Sequence, residues 1–169
     1  MPFLWLGFYD STAMVLPPGV QVYGEPLLFK LASWLWFGPL PAGFDEMLSP
    51  MGFAAWFGML ATALNLLPFG QLDGGHLAYV IFGRRAPIVY ALTLAGTVLL
   101  VIRSMSLIMV AVMMLIMAFF LGLRHPHVPD ESIPLDPKRK IIAAIALVIF
   151  VLCFTPVPVE IFIEPAPAQ

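Results

Sequence analysis

The chain has 169 residues, of which 61% are hydrophobic and 11% charged, against a usual charged share of about 25% in soluble domains. That balance excludes an ordinary water-soluble globule, and the formal net charge of −2 gives no nucleic-acid signal. Cys153 is the only cysteine, so no disulfide can form within the chain.

The amino-terminal run Met1 to Phe8 is apolar, but no basic residue precedes it and Asp10 ends it early, so it reads as structure rather than as a targeting segment. Up to residue 46, Pro17-Pro18-Gly19, Gly24, Pro26, Gly38-Pro39, Pro41 and Gly43 punctuate the chain too often for one long helix. Glu25 to Phe37 is expected to form a short amphipathic or interfacial helix, with Trp34, Trp36 and Phe37 suited to a membrane-surface belt. Residues 1–46 are thus expected to be a non-cytoplasmic or interfacial segment, residues 47–159 a membrane bundle and residues 160–169 a Pro-containing tail.

The first span runs from about Ser49 to Phe82. Its length exceeds one straight crossing of about 30 Å at 1.5 Å per residue, so a break near Pro68 to Gly75 is required. Pro87 to Ile102 and Ser104 to Leu123 form a second and third span in a tight hairpin around Arg103, and Ile141 to Pro156 forms a fourth. The loop His125 to Lys140, with Pro126, Pro129, Pro134 and Pro137, cannot be helical throughout. The fold class is therefore all-α, a polytopic membrane helical bundle of about four spans. Arg84, Arg85, Arg124, Lys138, Arg139 and Lys140 collect on one side, and most acidic residues on the other. The positive-inside rule places the first group in the cytoplasm. Asp73 then lies within roughly 15 Å of the cytoplasmic end of its span, at 1.5 Å per residue.

No charged side chain interrupts Met47 to Leu72, and Asp73 closes that run. An ionisable group at membrane depth is costly and commonly marks an ion, proton or substrate site. Around it, Pro68 removes a backbone donor, while Gly70, Gly74 and Gly75 are expected to relax the backbone, opening the helix so that polar groups converge. An anionic oxygen such as Asp73 suits zinc as a ligand. Asn65 carries amide donors and an acceptor that could hold a substrate carbonyl or a developing oxyanion. His76, three residues after Asp73, is expected to hydrogen-bond Asp73 or to sit as a membrane-interface histidine rather than to bind metal directly. Against these stand plainer readings: a helix cap or ion pair with Arg84 or Arg85 for Asp73, and a bridge between helices for Asn65. His125-Pro126-His127 reads as a solvated loop, and the methionines from Met105 to Met117 as core or lipid contacts.

Asn65, Pro68, Asp73 and Gly74 reproduce the Asn-x-x-Pro-x-x-x-x-Asp-Gly signature, and the string from Gly24-Glu25-Pro26-Leu27-Leu28-Phe29 to Leu72-Asp73-Gly74-Gly75-His76 resembles the bacterial and plastid-type branch of the site-2 proteases. These are membrane-embedded zinc metallopeptidases of the M50 group. The resemblance implies a zinc cofactor with Asp73 as one ligand, Asn65 in the substrate groove, a transmembrane protein as substrate, and a bacterial plasma membrane or plastid membrane as location. It covers the second half of the family pattern. The family's His-Glu-x-x-His helix, which supplies two zinc ligands and the base, is absent: the histidines are His76, His125 and His127, and none is followed by Glu. The expected function is the carboxyl-terminal half of an intramembrane zinc protease, completed by a partner segment bearing His-Glu-x-x-His. The alternatives are a non-catalytic relative that binds membrane helices and a small ion or proton transporter component.

Overall fold

A computed structural model describes residues 2–15, 17, 21–41, 44–103, 105–121 and 136–161. The chain divides into two compact units, Met1–Ala61 with Cys153–Gln169, and Thr62–Leu152.

The first unit contains α1 (Pro2–Tyr9), β1 (Thr12–Val15), β2 (Gln21–Tyr23), α2 (Leu27–Phe37), β3 (Phe44–Met47), most of α3 (Pro50–Asn65) and a late strand, here β4 (Val159–Ile161). The α3 start follows from its sequence. Ser49 is the cap: its Oγ accepts from the Gly52 amide at 3.2 Å, its carbonyl accepts from the Phe53 amide at 2.9 Å, and Pro50 occupies the first helical position, where a missing N–H costs nothing. The Ser49 hydroxyl donates to the Gly7 carbonyl at 2.8 Å, and the Ser11 hydroxyl donates to the same carbonyl at 2.7 Å, so α1 is tied to the root of α3. Leu4, Phe8 and Phe29 are buried beside this knot, with the Phe8 ring edge-on to both Phe29 and Phe37.

Two short antiparallel ladders complete the unit. β1 pairs with β3 (Thr12 opposite Met47), and β2 pairs with β4 (Tyr23 opposite Val159). They correct the all-α expectation: the fold is mostly helical but not wholly so. Strands of three or four residues are too short to show an alternating pattern, and each partner lies far away in sequence. Val159–Ile161, which straddles the expected boundary between the bundle and the Pro-containing tail, is a strand. Tyr23, Phe53 and Trp56 cluster against the second ladder, and the Trp56 indole donates to the Gly24 carbonyl at 2.8 Å.

In the second unit α4 (Asp73–Phe82), α5 (Ala86–Arg103) and α6 (Ile108–Leu121) pack in sequence order, and α7 (Pro137–Cys153) follows. Short 3-10 turns, Gly83–Arg85 and Met105–Leu107, precede α5 and α6. Residues 73–103 form an apolar helical run long enough to cross a membrane, and it contains a bend. Gly83 caps α4 with φ 54°, and Tyr90 reaches back to hydrogen-bond Gly75, fifteen residues earlier, at 2.8 Å. In a straight helix those residues would stand about 22 Å apart, so α5 folds back along α4. With 18 residues, α5 spans about 27 Å by itself.

The core of this unit is Phe69, Ala78, Ala86, Tyr90 and Met114, with Leu72, Val89, Leu94 and Met117 packed on it. Met114 is thus a packing residue, as expected of methionine in an apolar span, while Met109 and Met113 are exposed. Leu92, Leu99, Phe119, Phe120, Ile142 and Leu147 also face outward. So many large apolar side chains turned away from the core form a surface suited to lipid. α7 starts as α3 does, with Asp136 Oδ1 accepting from the Arg139 amide at 2.8 Å and Pro137 at the first position. His125, His127 and most of their loop lie outside the described residues.

Candidate functional site

α3 ends at Asn65 and α4 begins at Asp73, so the helix is broken at residues 66–72 rather than at Pro68 to Gly75, and residues 73–75 belong to α4. It is an ordered turn. The Leu66 amide donates to Thr62 O at 3.0 Å, Leu67 to Leu64 O at 3.3 Å, Phe69 to Leu67 O at 2.7 Å and Leu72 to Phe69 O at 3.2 Å. Pro68, which has no donor to satisfy, sits in the middle. Phe69 drives its ring into the core against Tyr90, with centroids 6.3 Å apart, and anchors the turn.

The glycines divide into two roles, which refines the sequence reading. Gly70 lies inside the break at φ 53°, a left-handed conformation that favours glycine. Gly74 and Gly75 lie in the first turn of α4, and their contribution is closeness: a Cβ on Gly74 would meet the Leu66 carbonyl oxygen at 1.9 Å, and one on Gly75 the Gly70 oxygen at 2.2 Å. The absent side chains let α4 start directly against the turn that precedes it.

Asp73 occupies the first position of α4, exposed, with Leu72 rather than Asp73 as the cap residue. A carboxylate there is stabilised by the partial positive charge of the helix start. Asn65, the last residue of α3, is also exposed, so the break is flanked by one amide and one anion. His76 is exposed one turn into α4, with its Nδ1 2.9 Å from the Leu72 carbonyl. That contact assigns the Nδ1 proton as the donor and turns the imidazole toward the backbone.

A second gathering of acids has no local signal in the sequence. Glu25, just before α2, meets Asp45 and Glu46 of β3, with one carboxylate oxygen from each within 4.8 Å of the others. They line a cavity of about 460 Å³ in the first unit together with Tyr23, Phe53 and Trp56. Burial, and then the charge of Glu25 and a hydrogen bond with Asp45, push the Glu46 carboxyl up to about 8, and the Ser33 hydroxyl donates to it. Burial also raises Glu25. Only the β1–β3 ladder, invisible to periodicity, presents these carboxylates beside Glu25.

Among the described residues, that trio is the group of three His, Cys, Asp or Glu side chains close enough to hold a metal, and Asp73 is not in it. A catalytic zinc takes three protein ligands. Asp73 fits as one of them, and the described residues do not complete the set around it.

The profile of peptidase family M50 matches residues 41–109, a stretch containing Asn65, the break, Asp73 and His76. Over those residues the chain is similar to peptidase family M50. Over 148 residues, 87% of its length, the chain is 33% identical to "Probable zinc metallopeptidase EGY3, chloroplastic" of Arabidopsis thaliana, covering 21% of that protein. It is 31% identical to "Probable zinc metalloprotease EGY2, chloroplastic" of the same plant over 71% of its own length and 21% of the relative. With the EGY2 protein of Oryza sativa subsp. indica the identity is 34%, over 48% of the chain and 16% of the relative. The chain therefore spans about a fifth of the length of these relatives. No solved structure matches it significantly.

Proposed function

We propose that this chain is the Asp73-bearing, carboxyl-terminal half of an intramembrane zinc protease core of the site-2 type, hydrolysing peptide bonds in transmembrane substrates once a partner segment supplies His-Glu-x-x-His. The observation that carries the reading is an exposed carboxylate at the first turn of α4, set by an anchored break within an apolar run, in a family of peptidases. A carboxylate at membrane depth needs a cation, and a helix interrupted there needs a cavity or a partner to accept its polar groups. Zinc bound beside Asp73 would polarise a scissile carbonyl and activate water. Asp73 offers the ion an anionic oxygen. Asn65, on the opposite shoulder of the break, offers an amide N–H to a carbonyl of an unwound substrate helix. The protein is read as multi-pass, with α3–α4, α5, α6 and α7 crossing a plastid or bacterial plasma membrane.

The test is co-expression with a membrane segment bearing His-Glu-x-x-His, measuring zinc content and single-turnover cleavage of a transmembrane substrate together. Asp73→Ala is expected to lose zinc and cleavage. Asn65→Ala is expected to keep zinc and lose turnover by the equivalent of about 2–4 kcal/mol. The chain alone is expected neither to bind zinc tightly nor to cleave. Full cleavage by Asp73→Ala at normal expression overturns the proposal, and zinc-free ion flux in vesicles favours a transporter instead.

A further inference from the structure

We infer that Tyr90 and Thr93 of α5 are positioning residues that clamp the middle of the helix break at Pro68 and the first turn of α4 at Gly75 and thereby fix Asp73. The inference rests on the reading of Asp73 as a zinc ligand and adds to it a source of rigidity outside the signature motif.

Two contacts carry it. The Tyr90 hydroxyl donates to the Gly75 carbonyl at 2.8 Å, after the break, and the Thr93 hydroxyl lies 3.1 Å from the Pro68 carbonyl, within it. Tyr90 and Thr93 are three residues apart and therefore share one face of α5. Asp73 lies between the two clamped carbonyls in the chain, so its position is tied at both ends to a single helix.

The residue types support the assignment. Tyr90 is fully buried in the core of its unit, where a phenylalanine would fill the same space. A buried hydroxyl is tolerated because it has a partner, and in this position the partner is the backbone of the site-bearing helix. Thr93 also lies 2.9 Å from the Val89 carbonyl, the local bond that a threonine makes inside an apolar helix, as Thr97 does with the Thr93 carbonyl at the same distance. Its single proton is thus shared between Val89 and Pro68. The Val89 carbonyl is also within reach of the helix's own amide ladder, whereas Pro68 sits where α3 has ended. Contact with Pro68 is the feature that distinguishes Thr93 from Thr97.

The experiment has two arms. Hydrogen exchange on the 169-residue chain in lipid nanodiscs should show amides of residues 69–76 exchanging about tenfold faster in Tyr90→Phe and in Thr93→Val, with α6 unchanged. In the chain completed with a His-Glu-x-x-His segment, both variants should lower kcat by about tenfold at unaltered KM and shift the absorption bands of a cobalt-substituted centre. Thr93→Ser, which keeps the hydroxyl, should restore both readouts. Tyr90→Phe keeps the ring, so loss of the core does not confuse the result. Unchanged exchange and unchanged cobalt bands in Tyr90→Phe and Thr93→Val, beside an inactive Asp73→Ala, overturn the clamp. Accelerated exchange beside a fully active Asp73→Ala overturns instead the reading of Asp73, and leaves the clamp without a catalytic role.

Discussion

Gly7 and Gly52 meet backbone to backbone: a Cβ placed on Gly7 would lie 2.4 Å from the Gly52 Cα and from its amide nitrogen. The contact lets α1 approach the first turn of α3 closely enough for Ser49 to reach the Gly7 carbonyl. Gly7→Ala is expected to destabilise the detergent-solubilised protein by about 1–3 kcal/mol, as overpacking against backbone does, seen as a lower melting temperature. Gly58→Ala, in the middle of α3 with open space around its Cβ, is expected to act the other way, stabilising by up to about 1 kcal/mol through helix propensity.

Glu46 makes stability depend on pH in the opposite sense to an ordinary ion-paired acid. Its folded value of about 8 lies above the ordinary 4.5, so the folded state holds a proton that the unfolded state has released between those values. Stability is then greatest below about pH 4.5 and declines as pH rises toward 8. Glu46→Gln, which mimics the protonated acid and still accepts from Ser33, should raise the melting temperature at pH 8 relative to wild type and flatten this part of the profile. Melting curves from pH 5 to about 9 provide the check. A wild-type profile that rises across this range would contradict the burial argument.

Asp136 and Pro156 bracket α7, whose 17 residues span about 25 Å. In a Cys153→Ala background, cysteines introduced at Asp136 and at Pro156 should react from opposite faces of sealed vesicles, with Asp136→Cys on the cytoplasmic side beside Lys138, Arg139 and Lys140. Labelling of both from one side would remove α7 from the set of membrane crossings.

Gly74→Ala places a methyl group 1.9 Å from the Leu66 carbonyl oxygen, a backbone atom that can yield only if α4 moves away from the break. A completed protease carrying it should lose most of its zinc and cleavage while remaining inserted. Gly96→Ala, in an open position on α5, should retain both. Zinc content per inserted chain separates the two.

The helices were legible because their signals are local. Ser49-Pro50 stands at the expected start of the first span, and Pro68 with Gly70 interrupts an otherwise unbroken apolar run, whereas the helix that starts at Pro137 begins inside a loop expected to reach Lys140. The position of Asp73 at the end of that run was equally readable, since one charge after a long neutral stretch is a pattern in one dimension. What the sequence hid depends on contacts between distant positions. Gly74 and Gly75 looked like sources of backbone freedom, and only the packed structure reveals that they are needed for the space they leave beside residues 66 and 70. Tyr90 carries no local signal of its role, because its partner is fifteen residues back. The carboxylates of Glu25, Asp45 and Glu46 come together only through strand pairing.

The pairing of Gln21–Tyr23 with Val159–Ile161 imposes an order on biogenesis. A ribosome adds about 5–20 residues each second, so the early strand waits for several seconds, with its ladder groups unpaired, until its partner is made. The intervening helices are synthesised during that interval, and the ladder closes a loop of roughly 135 residues whose entropic cost falls if those helices are already inserted and packed. On the proposed multi-pass reading, the late strand works as a fastening applied after membrane integration, and a nascent chain stalled before residue 159 would carry an open strand edge.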